Sequence, residues 1–73
     1  MSDETATRAA VEQLELRLQR RLIGRVHDLR LLLKDRGLIL RGKAATYYAK
    51  QIAQHEAMNA SALPLLANEI EVR

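Results

Sequence analysis

The stretch Arg25–Lys43, RVHDLRLLLKDRGLILRGK, constrains the fold of this chain more than any other. Leu29, Leu31 and Leu33 alternate with Arg30, Leu32 and Lys34, and Leu38 and Leu40 alternate with Ile39 and Arg41. A period of two sends successive side chains to opposite faces, so each run predicts a half-buried strand. Between the runs, Lys34-Asp35-Arg36-Gly37 offers polar residues and a glycine able to take a positive φ, which predicts a four-residue hairpin loop. The rest of the chain must then cover the apolar face of this hairpin, about residues 25–43.

Before it, Val11, Leu14, Leu18 and Leu22 recur at helical spacing and predict a helix over about residues 4–24, with Leu16 and Ile23 widening its apolar stripe. Asp3 and Glu4 suit the positive end of the helix dipole, Arg20 and Arg21 suit the negative end, and Gly24 is a stop signal. Glu12 and Glu15 lie close enough in sequence to screen Arg17, Arg20 and Arg21. After the hairpin, Thr46 is a good N-cap for a second helix over about 47–58. Its buried face is expected to hold Tyr48, Ala49, Ile52 and Ala53, with Tyr47 pointing away and Glu56 at the edge. Pro64 suits a strand entrance. Leu66, Ile70 and Val72 then alternate with charged residues and predict a third strand over about 65–72. Asn68 shares their parity and is expected to satisfy nearby backbone.

Helix, strand, strand, helix, strand makes an α+β two-layer sandwich of αββαβ order, a three-stranded sheet covered on one face by two helices. The link through the second helix is long enough for a right-handed crossover, so the second and third strands are expected to be parallel. With 73 residues there is room for one small domain, 1–73, and no cysteine is present to staple it. Only Tyr47 and Tyr48 are aromatic, so the core must be aliphatic.

The net charge of +3 is unevenly spread. Residues 1–24 are balanced, residues 25–50 carry seven basic against two acidic groups, and the remainder is acidic. Positive charge on the hairpin would attract phosphate, or simply keep a strand face solvated. The polar N-terminus lacks the apolar core of a secretory signal, and no stretch approaches the roughly 20 apolar residues of a membrane span. If the native protein is exported, this chain is expected to have been trimmed or to be an excised domain. His27 and His55 do not form a metal-like spacing, Ser2 and Ser61 lack orienting neighbours, and no phosphate loop or nucleophile elbow occurs. No catalytic residue, metal site or cofactor is expected, and the chain is read as a binding module rather than an enzyme.

The second half of the chain resembles the BON domain, named for the bacterial osmotic-stress and nodulation proteins in which it was recognised. Leu40-Arg41-Gly42-Lys43-Ala44 matches its Leu-x-Gly-x-small motif and Ala53 its helix alanine, while Leu63, Leu66, Asn68, Ile70 and Val72 match its last strand. The resemblance covers roughly residues 25–73. Two positions depart from the family: Ala62 replaces a glycine, and Gly37 lies one residue nearer Gly42 than usual. The resemblance implies a non-enzymatic module of the periplasm or cell envelope that binds phospholipid or neighbouring proteins.

Read together, these features point to an anionic phospholipid surface as partner. The expected contacts are Arg30, Arg41 and Lys43 on the open sheet face, Lys34 and Arg36 at the hairpin tip, and Tyr47 as an interfacial side chain. Binding to another protein, or weak homo-oligomer formation through Leu32 and Ile39, is the alternative. Single-stranded nucleic acid ranks below both, for want of a G-x-x-G loop and of aromatics to stack on bases.

Overall fold

A computed structural model describes residues 3–73, with side chains from Thr7 onward. The elements are α1 (Asp3–Arg21), β1 (Val26–Lys34), β2 (Gly37–Ala44), α2 (Tyr47–Ala60) and β3 (Leu65–Val72). The expected αββαβ order holds, and the fold is a two-layer α+β sandwich with a three-stranded mixed sheet. β2 is the middle strand, a placement the sequence left open; it runs antiparallel to β1 and parallel to β3. The core lies between helices and sheet, and Leu18, Leu22, Leu38, Leu40 and Ile70 are its largest fully buried side chains.

α1 buries the expected stripe of Val11, Leu14, Leu18 and Leu22, yet it ends at Arg21, short of Gly24. The N–H groups of Arg25 and Val26 both donate to the Leu22 carbonyl at 2.9 Å, closing a tight turn in which Gly24 takes a φ of 82°. Leu16 and Ile23, expected to widen the stripe, are exposed: Leu16 faces solvent, and Ile23 has left the helix for the turn. The expectation for Asp3 and Glu4 falls on side chains outside the described residues.

Glu15 does not screen arginines but turns to the sheet. Its carboxylate accepts a hydrogen bond from the Leu31 N–H (2.8 Å), and the Gln19 amide donates to the Leu29 carbonyl (2.9 Å). Alternation along β1 directs these two backbone groups away from β2, to the free edge of the sheet. An unpaired edge is a template for aggregation, and α1 covers this one with side chains. Removing both by Glu15→Ala/Gln19→Ala is expected to destabilise the domain by about 1–3 kcal/mol. Light scattering on heating should also show earlier aggregation than in the unsubstituted chain; an unchanged onset would mean that the clamp is not protective.

The hairpin loop is tighter than expected. Lys34 pairs directly with Gly37, leaving a two-residue loop of Asp35 and Arg36, with φ of 51° and 65°. Positive φ at both central residues matches the right-handed twist of the flanking strands. Gly37 itself has no positive φ and belongs to β2. Its missing Cβ makes room for Leu66, whose two Cδ atoms lie 2.7 and 2.8 Å from where that Cβ would be. Leu66 therefore does not point into the core as its parity suggested. The β2–β3 register slips between Leu38↔Leu65 and Ile39↔Ala67, so Leu65 packs against the core in its place. Val72, at the end of the strand, is also exposed. Leu33, another expected core residue, is only partly buried.

A second irregularity bends β1 between His27 and Arg30, where Asp28 adopts a φ of 55°. The bulged strand presses on Gly42: a Cβ there would lie 2.9 Å from Val26 Cγ1 and 3.1 Å from the His27 carbonyl oxygen. Only glycine admits that approach.

α2 starts as expected, with Thr46 Oγ1 accepting from the Ala49 N–H at 3.0 Å. Its buried stripe is Ala49, Ala53 and Ala57, spaced four apart, so small side chains let the helix lie close to the sheet. Tyr48, expected on that stripe, is 71% exposed, because its place one residue earlier turns it away from the sheet. Asn68 binds backbone as expected. Its Nδ2 donates to the Lys50 carbonyl (3.1 Å) and its Oδ1 accepts from the Ile70 N–H (3.2 Å), tying β3 to α2.

Candidate functional site

The sheet face opposite the helices is organised in rows set by the strand register. His27, Lys43 and Glu71 form one row, Arg30, Arg41 and Glu69 the next, and Leu32, Ile39 and Ala67 a third. In each charged row the β3 residue is acidic and the middle strand carries a cation, with His27 or Arg30 on the β1 side. Arg41 is not free: its Nε donates to Glu69 Oε1 at 2.8 Å. Lys43 has Glu71 as its neighbour in the ladder. Ile39, expected to be exposed beside Leu32, is only 9% exposed, between its partners Leu32 and Ala67. Leu32 and Leu66 keep the hairpin half of this face apolar and exposed.

The residues expected to form one basic site are therefore distributed over two ends. Arg30, Arg41 and Lys43 share the open face, and Lys34 and Arg36 sit at its hairpin end. Tyr47 begins α2 at the opposite end, seven strand positions from Gly37 or roughly 23 Å away at the usual strand rise. The structure does not bring Tyr47 together with Lys34 and Arg36.

A different cluster forms where Tyr47 lies. Val26, Ala44 and Val72 stand in one row across the sheet, so everything just beyond them is gathered at one end. That end receives the α1–β1 turn, the end of β2 and the start of α2. Its exposed apolar and aromatic side chains are Ile23 (79% exposed), Tyr47 (63%) and Tyr48. Around them are Arg20, Arg25 and Lys43, all exposed and without an ion-pair partner among the described residues. Arg21 and Arg73 lie nearby but are neutralised, Arg21 by Glu56 (2.8 Å) and Arg73 by Glu71 (3.1 Å). Sequence reading missed Ile23 and Tyr48 by assigning both to buried stripes. The available signal was the run Arg20-Arg21-Leu22-Ile23-Gly24-Arg25, an isoleucine between arginines and next to a glycine.

A groove of about 950 Å³ also opens between the first half of α1, β1 and the hairpin, lined by Val11, Leu31, Leu33 and Leu63 with Arg8 and Glu12. Its charged lining residues, Arg8, Glu12, Asp35 and Arg36, are all exposed, unlike the few buried polar groups that fix a ligand in a small-molecule site. His27 and His55 are exposed on different elements. Comparison of the chain with protein families, with curated proteins and with solved structures finds no match.

Proposed function

We propose that this chain is a non-catalytic, BON-like binding module that attaches peripherally to anionic phospholipid surfaces, touching them with the end that carries Ile23, Tyr47 and Tyr48. One observation carries the reading: the most exposed aliphatic side chain and both tyrosines are interleaved with three unpaired cations at one end of the molecule. Tyrosine favours the boundary between headgroups and acyl chains, a protruding isoleucine gains by leaving water, and cations gain from anionic headgroups. The surface expected from the sequence, the basic sheet face, is weaker in this respect because Arg41 is already held by Glu69 at 2.8 Å.

The magnitudes fit a weak, reversible attachment. Three cations contribute about 1 kcal/mol each and burying an isoleucine about 2 kcal/mol. A total of roughly 5 kcal/mol corresponds to a dissociation constant near 0.2 mM. Co-sedimentation should show binding to phosphatidylglycerol vesicles, little binding to phosphatidylcholine vesicles, and loss at about 0.5 M salt. Ile23→Asp should weaken the binding about tenfold or more, whereas Lys34→Glu/Arg36→Glu, at the far end, should leave most of it. Equal pelleting with both lipids would overturn the function. Loss on changing Lys34 and Arg36 but not Ile23 would return the contact to the hairpin.

A further inference from the structure

We propose that the open sheet face is the interface with a second copy of this chain, the two copies being related by a two-fold axis that runs along β2. The proposal does not rest on the phospholipid reading, with which it shares only Lys43. It starts from the rows across the face, in which β1 carries Arg30, β3 carries Glu69 and Glu71, the middle strand carries Arg41 and Lys43, and the apolar row of Leu32, Ile39 and Ala67 lies toward the hairpin.

Two identical sheets can meet face to face about a two-fold axis lying between them in either of two simple ways. An axis across the strands stacks β1 on β1 and β3 on β3, setting the basic segment of Arg30 and Lys34 against the same segment of the second copy, and that of Glu69 and Glu71 likewise. An axis along the strands stacks β1 on β3 of the second copy. Arg30 then stands over Glu69 of the second copy and His27 over its Glu71, while Leu32 meets its Ala67 and Leu66. Charge complementarity selects the second arrangement. Ile39 meets its own copy near the axis, between Leu32 and the β3 residues. Arg41 and Lys43, both on the middle strand, also approach their own copies; each Arg41 is already held by its own Glu69 at 2.8 Å. Lys43, near the end of the strand, and Lys34, at the hairpin end, have stems long enough to carry their ammonium groups out to water.

Three strands about 4.8 Å apart and eight residues at about 3.3 Å each present roughly 14 by 26 Å per copy. Two such faces total about 730 Å², below the range of stable specific interfaces and in that of transient encounters, so only a weak dimer is expected. The geometry has a further consequence. An axis parallel to the strands leaves both Ile23–Tyr47–Tyr48 ends pointing the same way, whereas an axis across the strands would set them at opposite ends.

Sedimentation equilibrium from about 5 to about 500 μM, bracketing a dimer of this strength, should show a monomer–dimer equilibrium. Arg30→Glu, which sets two carboxylates together, should raise its dissociation constant at least tenfold. Arg30 is exposed, so circular dichroism should show the variant folded. Because the chain has no cysteine, crosslinking of introduced thiols can report the axis; stacked sheets lie about 10 Å apart, beyond the reach of a disulfide, so a short bismaleimide is used. A mixture of Leu32→Cys and Ala67→Cys variants should give a crosslinked heterodimer with it, in excess of either variant alone. A monomer at every concentration would overturn the proposal. So would a dimer in which Leu32→Cys crosslinks to itself and not to Ala67→Cys.

Discussion

Leu18→Ala is expected to lower the unfolding free energy by about 3 kcal/mol or more, while Leu16→Ala, the same change two residues earlier, should alter it by less than about 0.5 kcal/mol. Leu18 is fully buried among Leu22 and the inward leucines of the sheet; Leu16 is 48% exposed. Truncating Leu18 removes buried methyl groups and leaves a cavity that neighbours on rigid elements fill only in part. Domains hold roughly 0.05–0.15 kcal/mol per residue, so this one has about 4–11 kcal/mol in all and would lose a large share. The melting temperature should fall by about 12–24 °C. Urea titrations of the two variants test this, with the midpoint moving at constant slope. A loss at Leu16 as large as that at Leu18 would mean that the helix packs by another face.

The second large effect is expected at Gly42. Gly42→Ala should destabilise by about 3 kcal/mol, combining overpacking against the bulged strand with an unfavourable positive φ. The atoms in the way include the His27 carbonyl oxygen and the Leu29 Cα, and backbone cannot step aside without disturbing the ladder. Gly37→Ala should cost about 1 kcal/mol or less, although the added methyl would lie even nearer its neighbour. That neighbour is the Leu66 side chain, which lies at the surface and can turn outward. Thermal melts of the two variants side by side separate these cases. Equal losses would show that Leu66 is held as firmly as the bulge.

The difference between these two glycines marks where sequence reading succeeds and where it stops. Alternation in Leu29–Leu33 and Leu38–Leu40, the helical spacing of Val11, Leu14, Leu18 and Leu22, and the Thr46 cap each record a local backbone preference. All were legible, and with them the order of elements. Gly37 was assigned a turn conformation because glycine near charged residues commonly serves one. Its actual reason, the side chain of Leu66, lies 29 positions away in sequence. The slip that turns Leu66 outward and the bulge at Asp28 are likewise products of pairing between strands, which periodicity within one strand does not encode. Tyr48 went astray for a related reason. Helical spacing defines a stripe but not its width, and a stripe of alanines is narrower than a stripe of leucines.

The candidate surface was less legible than the fold because it is assembled by register. Arg20–Arg25, Lys43 and Tyr47–Tyr48 are brought together only because Val26 and Ala44 stand opposite each other. Conversely, Arg41 looked available until Glu69 was placed beside it by the parallel pairing of β2 and β3. A formal excess of charge along a segment thus overstates what remains unpaired on the surface.

The side-chain clamp from α1 onto the edge of β1 also bears on how the chain is made. Synthesis proceeds from the N-terminus, so Glu15 and Gln19 leave the ribosome before the strand whose edge they cover. The leucine-rich hairpin that follows is the segment most able to join other chains while unfinished, and it need never emerge without its cover. A circular permutant in which α1 is synthesised last would reverse that order, and its soluble yield would measure how much the timing matters.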